Sequence, residues 1–171
     1  MQILFVADGY PTPDLPYSAF IKVICEELLR HGHCITVIAP QSITRHFLRN
    51  VPLAPRTSIS KTNGEHNIVV YRPYFFSFGN GRLKRLSIWH AKVAALIEVR
   101  RRLLKPDICY AHFWHSAYNI VGWASSKKIP LFVATGEDKI EIQNALSSDE
   151  LNLLREYVSG VICVSTKNKE E

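Results

Sequence analysis

Hydrophobic positions along this chain arrive in short continuous runs separated by stretches of helical spacing. Ile3-Leu4-Phe5-Val6-Ala7 is apolar throughout and stops at Asp8-Gly9, the pattern of a strand buried on both faces. Pro11, Pro13 and Pro16 then forbid regular structure up to Ser18, which stands where a helix N-cap is expected. Phe20, Ile21, Ile24, Leu28 and His31 follow at helical spacing, and Gly32 supplies the left-handed residue that ends such a helix. Cys34 to Ala39 reads as a second strand, stopped by Pro40. Strand, helix and strand with so short a return make a βαβ unit.

The periodicity weakens from Gln41 to Glu65, where Pro52, Pro55 and Thr62-Asn63-Gly64 predict a short helix or an irregular excursion. Ile68 to Tyr71 restores a strand, and Phe75 to Gly81 reads as an aromatic loop. A long amphipathic helix near Leu83 to Leu104 follows, with Leu86, Trp89, Val93, Leu96, Ile97 and Leu104 expected on its buried face and Pro106 beyond its end. The remainder alternates: a strand at Ile108 to Ala111, a helix near Ser116 to Ser126, a strand at Leu131 to Ala134, a helix near Asp149 to Val158, and a strand at Val161 to Val164. Strands alternating with helices in this way predict an α/β class: one Rossmann-like domain over residues 1 to 171, a doubly wound, mostly parallel sheet with helices on both faces.

Composition narrows this picture. A chain of 171 residues that is 47% apolar has enough material for one core and is neither disordered nor fibrous. Cys25, Cys34, Cys109 and Cys163 all lie in apolar runs without metal-ligand spacing, so buried thiols in a reducing compartment are expected. The first residues lack a basic leader, and no apolar run approaches the roughly 20 residues of a membrane span. A cytoplasmic location is the expectation. The formal charge of +6 calls for an anionic partner. Without a helix-turn-helix, zinc finger or RNA-binding signature, nucleic acid is not expected to be that partner.

The polar residues that end the strands carry the candidate chemistry. In a parallel sheet Asp8-Gly9-Tyr10, His112 to His115, Thr135-Gly136-Glu137-Asp138 and Ser165 share one rim, where α/β sheets bind ligands. The core strand that stops on His112-Phe113-Trp114-His115 is explained if it ends in that crevice; a polar cap is the alternative. His112, His115, Glu137 and Asp138 are of zinc-ligand type, but no metal is assigned to them. Neither G-x-G-x-x-G nor a Walker A loop is present, which argues against dinucleotide and P-loop chemistry.

Five segments, "MQILFVADGYPTPDLPYSAF", "LLRHGHCITVIAP", "KPDICYAHFWHSAY", "KIPLFVATGED" and "VSGVICVS", resemble in order and spacing the amino-terminal half of family 4 retaining glycosyltransferases of the GT-B architecture. The resemblance implies an acceptor-binding domain whose donor-binding carboxy-terminal partner domain is absent, so that these residues alone are inactive. It implies a nucleotide-sugar donor as co-substrate, no tightly bound cofactor, and transfer with retention to a glycan or lipid-linked hydroxyl acceptor, as in polysaccharide biosynthesis. At the matching positions it implies His112 as the catalytic imidazole and Gly9, Tyr10, Ser18, Ala19, Glu137 and Asp138 as substrate contacts. Two positions depart from the family pattern. Ser18-Ala19 stands where the family often has a glycine pair, and Thr135 stands where it often has histidine.

Arg100, Arg101, Arg102 and Lys105 at the end of the long helix are either a solvated face or a contact with an anionic membrane, which would place the protein at the inner face of the membrane as a peripheral component. A non-catalytic sugar or nucleotide binder, or a subunit that gives half a cleft to a partner chain, is the competing reading of the whole.

Overall fold

The computed structural model describes residues 1–61, 67–79, 83–136 and 141–166. Strand β1 (Gln2–Val6) is buried from Ile3 onward and leads through the proline loop into helix α1 (Ala19–Arg30). Helix α1 presents Ile21, Cys25 and Leu29, one residue per turn, to the sheet. Gly32 takes φ 79° and lets the chain return at once into β2 (Cys34–Ile38), which pairs parallel with β1 from Gln2↔Cys34 to Val6↔Ile38. Ser18 is the residue before α1 as expected, but with φ 60° it is left-handed and its side chain does not cap the helix.

The weakly patterned segment is more ordered than its sequence suggests. It holds β3 (Gln41–Ser42), helix α2 (Ile43–Arg49) and β4 (Thr57–Lys61), and β4 runs antiparallel along the edge of β5 (Asn67–Tyr71). The expected aromatic loop begins with β6 (Tyr74–Phe75), which pairs with β3 in a small second sheet. Helix α3 (Lys84–Arg101) leads to β7 (Ile108–His112), α4 (Trp114–Lys127), β8 (Leu131–Thr135), a short 3-10 turn, α5 (Ser148–Tyr157) and β9 (Val158–Cys163). The main sheet has the order β4-β5-β2-β1-β7-β8-β9, parallel throughout except for β4.

Two apolar layers flank it. Ile3, Phe5, Ile35 and Val37 meet α1 on one face, and Leu4, Val6, Cys109 and Ala111 meet α3, α4 and α5 on the other. Each fully buried Leu, Ile or Val contributes roughly 1.5–3 kcal/mol. Truncating a wholly buried member such as Ile120 to alanine is expected to cost about 2–5 kcal/mol.

The expected buried face of α3 is corrected. Leu86, Trp89 and Ile97 are exposed, and the helix buries Ile88, Ala94, Ala95, Glu98 and Val99. Positions 88, 92, 95 and 99 form the inward stripe, and Lys92 in its middle conceals it from a hydrophobicity reading. The Lys92 ammonium lies 3.9 Å from the Tyr118 ring centre. The cysteine expectation is also corrected: Cys25 and Cys109 are buried, whereas Cys34 and Cys163, at the first residue of β2 and the last residue of the edge strand β9, are exposed.

Candidate functional site

Strands added after β1 move first to one side, through β2 and β5, and then to the other, through β7, β8 and β9. The reversal lies between β1 and β7, and the carboxyl ends of these two strands open the crevice expected of such a sheet. A cavity of about 390 Å³ occupies it, with Asp8 from the end of β1 and His115 and Asn119 from α4 on one side. Arg45 and Arg49 of α2 and Lys84 at the start of α3 form the other. Ser116 at the start of α4 donates a 3.2 Å hydrogen bond to the Asp8 carboxylate, which fixes the floor.

Helix α2 is fastened to this wall by a small hydroxyl network. The Ser42 hydroxyl accepts from the Arg45 backbone N–H at 3.3 Å and lies 2.6 Å from the Ser77 hydroxyl, while the Ser77 N–H donates to the Thr44 hydroxyl at 3.0 Å. Arg45 and Arg49 are one turn apart and therefore share a face. The Gln41 amide exchanges two hydrogen bonds with the Ala54 backbone and closes the loop behind α2.

His112 ends β7 on the opposite face of the sheet from this cavity. It is 6% exposed, its ring lies 4.3 Å from that of Phe113 and 4.9 Å from that of Phe20, and its Nδ1 is 3.4 Å from the Tyr110 hydroxyl. The next residue, Phe113, has φ 72° and ψ 156°, a region that is essentially reserved for glycine and costs about 1–3 kcal/mol for other residues. Its N–H is held at 2.8 Å by the Ala134 carbonyl, so the sheet maintains the turn that carries the chain from His112 on one face to His115 on the other.

Tyr10 and Ala19 line a second cavity, of about 690 Å³, between the proline loop and the segment before β4. Arg72 lies in its wall, 4% exposed, donating to the Ser58 hydroxyl at 2.7 Å and packed over the Tyr10 ring. Burial pushes the Tyr10 phenol up to about 12 and lowers the Arg72 guanidinium from its ordinary value. Gly9 approaches Ser18, whose Oγ would lie 3.8 Å from a Cβ at position 9. Glu137 and Asp138 lie outside the described residues. Among the described residues no three His, Cys, Asp or Glu side chains converge as a metal site.

Arg102 does not belong to a free basic face. Its Nε donates to Glu98 at 2.8 Å and its guanidinium lies 4.4 Å from the centre of the Tyr71 ring. Arg101 also reaches the buried Glu98, at 3.4 Å, whereas Arg100 and Lys105 are exposed.

The reading from sequence did not single out Arg45 and Arg49. A signal was present: between Glu27 and Glu98 the sequence holds ten Lys and Arg residues and a single acid, Glu65. The side of the 390 Å³ cavity formed by Arg45, Arg49 and Lys84 comes from this stretch.

No family model matches the chain, and no curated protein matches it in sequence. In fold it is similar to sucrose-phosphate synthase from Thermosynechococcus elongatus, with a TM-score of 0.62 at 11% identity over 99% of this chain and 79% of that one. It is also similar to an α,α-trehalose-phosphate synthase (UDP-forming) from Burkholderia vietnamiensis, with a TM-score of 0.58 at 9% identity over 99% of this chain and 42% of that one. For the UDP-GlcNAc 2-epimerase from Methanocaldococcus jannaschii the TM-score is 0.55 at 15% identity, over 99% of this chain and 41% of that one. The chain spans under half the length of the latter two. These similarities show a Rossmann-like fold of the GT-B, glycosyltransferase-like kind; a fold shared by synthases and an epimerase does not by itself fix a reaction.

Proposed function

We propose that this chain is the acceptor-binding, amino-terminal half of a retaining glycosyltransferase of family 4, completed by a donor-binding domain that closes over the carboxyl edge of the sheet. The observation that carries the reading is the cationic cavity at the β1/β7 reversal of a glycosyltransferase-like fold. A nucleotide sugar held by the second domain would present its anomeric carbon above this edge. The acceptor hydroxyl then attacks from the face that the diphosphate leaves, and a leaving phosphate oxygen takes the proton, so that no protein base is required. His112 is assigned to positioning and electrostatic stabilisation beside the departing group. Its cover, Phe20, is 45% exposed, which supports access to the imidazole by rotation of one side chain.

The edge strand β9 supports closure by more protein: Val161 and Ile162, on opposite faces, are 45% and 48% exposed. Peripheral membrane contact is part of the proposal. The outer side of α3 shows Leu86, Trp89 and Ile97 near the exposed Arg100, and among the described residues no helix is long and apolar enough to cross a membrane. The cytoplasmic location and a glycan or lipid-linked acceptor follow from the same reading.

The test is transfer of labelled sugar from a panel of nucleotide sugars, with residues 1 to 171 alone and with the donor-binding domain supplied. Transfer only in the second case is expected. Turnover at an ordinary enzymatic rate by residues 1 to 171 alone would refute the half-enzyme reading, and absence of transfer in both favours the non-catalytic binding module.

A further inference from the structure

The walls of the β1/β7 cavity are more cationic than binding of a neutral sugar requires. Arg45 and Arg49 project from one face of α2, and neither guanidinium has an ion-pair partner among the described residues. Lys84 stands in the first turn of α3, which contains no acidic residue, and a cation is disfavoured there by the helix dipole. Among the described lining residues Asp8 is the single acidic side chain, and its carboxylate accepts from Ser116. Arg45 and Arg49, without acidic partners among the described residues, therefore make this wall of the cavity cationic. Hydroxyl groups of a sugar would gain little from such a field, whereas a phosphate offers the oxygens that guanidinium groups pair with in bidentate fashion.

Resting on the acceptor-domain reading, we propose that the acceptor carries a phosphate group and that this cavity holds it through Arg45, Arg49 and Lys84. The phosphate sits against α2 and the start of α3. The acceptor hydroxyl is then directed toward the Asp8 and His115 side, where the strand ends face the donor. A volume of about 390 Å³ is within the range of small-molecule sites and admits a phosphorylated sugar or the phosphate head of a lipid-linked one. The hydroxyl network of Ser42, Thr44 and Ser77 holds the α2 wall in place before the ligand arrives, so ordering of the two arginines takes less from the binding.

Calorimetric titration of the purified chain at fixed ionic strength with inorganic phosphate, pyrophosphate, glucose 6-phosphate and glucose tests this directly. A parallel arm measures sedimentation with phosphatidylcholine vesicles that do or do not contain phosphatidic acid. Binding of soluble phosphates but not of glucose supports a soluble phosphorylated acceptor. Binding only to vesicles with phosphatidic acid supports a lipid-borne phosphate. In either case Arg45→Gln with Arg49→Gln should weaken binding by about tenfold or more, and Arg155→Gln, on α5, should leave it unchanged. Glucose binding as well as glucose 6-phosphate, or full affinity in the double variant, would overturn the phosphate site while leaving the transfer reading intact. Phosphate binding that persists in a complete protein without transfer to any acceptor would sink the transfer reading instead.

Discussion

The Tyr118 hydroxyl of α4 donates to the Glu150 carboxylate at the start of α5, and the same carboxylate completes the cap of its own helix. Glu150 accepts from the Ser147 N–H at 2.8 Å and the Ser147 hydroxyl at 2.9 Å, while Arg85 of α3 reaches it at 3.2 Å. One side chain therefore joins three helices on the same face of the sheet.

Stability of the domain should fall in acid through this group. Desolvation alone would raise the Glu150 carboxyl, but the Ser147 N–H, the Tyr118 and Ser147 hydroxyls and Arg85 together hold it at about 2, below its ordinary 4.5. In the unfolded chain it protonates near 4.5, so its contribution is complete above that pH and is lost as the pH falls toward 2. The amount is on the order of 2 kcal/mol. Urea unfolding followed from pH 6 to pH 2.5 (roughly the span the linkage covers) should show a steeper loss for the parent than for Glu150→Gln, which starts less stable. Parallel curves would exclude Glu150 as the source.

Ser18→Gly should stabilise the protein by up to about 1 kcal/mol. The φ of 60° at Ser18 costs an L-residue roughly 1–2 kcal/mol, offset in part by the greater freedom of glycine in the unfolded chain. The substitution restores a glycine at one position of the pair that the resembled family often has there. Ser18→Val should destabilise by at least as much. Chemical denaturation of the parent and the two variants decides it, and a glycine variant less stable than the parent contradicts the strain argument.

The strand that ends on an imidazole was legible because Ile108 to Ala111 is a continuous apolar run, and the same holds for Ile3 to Val6 of β1, Ile68 to Tyr71 of β5 and Leu131 to Ala134 of β8. Strand β4 was not, because Thr57-Ser58-Ile59-Ser60-Lys61 is an edge with one neighbour and few apolar positions. The site was half legible. The topology of a parallel sheet places Asp8 and His115 at one rim, but no periodicity announces that Arg45 and Arg49, on a seven-residue helix, fold over it. Arg102 was misread as freely exposed because its partner, Glu98, is buried by tertiary packing that a local pattern does not reveal.

On the transferase proposal, His112→Ala in the complete protein should lower kcat/KM by about 10²-fold with native-like melting. His115→Ala should act mainly through the KM for the acceptor and by a few-fold, since His115 lines the cavity on the other face of the sheet from His112. Steady-state kinetics with each substrate varied separates the two. Full activity in His112→Ala, or loss through unfolding alone, would make His112 a structural cap of β7.

Replacing Arg100 and Lys105 with Gln should weaken sedimentation with anionic vesicles by about fivefold per charge removed, in a salt-dependent way, and leave folding unchanged. Arg102→Gln belongs to a different class. It removes the closest partner of Glu98, whose side chain is 4% exposed, and should lower the melting temperature. Equal binding to neutral vesicles counts against the membrane contact, and an unaltered melting temperature in Arg102→Gln counts against the role given to Glu98.

The backbone at Phe113 sets two demands on the chain against each other. A non-glycine residue at φ 72° subtracts about 1–3 kcal/mol from a domain whose entire margin is of the order of 5–15 kcal/mol. Selection for heat tolerance alone should therefore replace Phe113 with glycine, and in doing so remove the ring that packs 4.3 Å from His112. At position 113 backbone ease and the packing around His112 thus pull in opposite directions: glycine relieves the turn, and the aromatic ring keeps the imidazole covered.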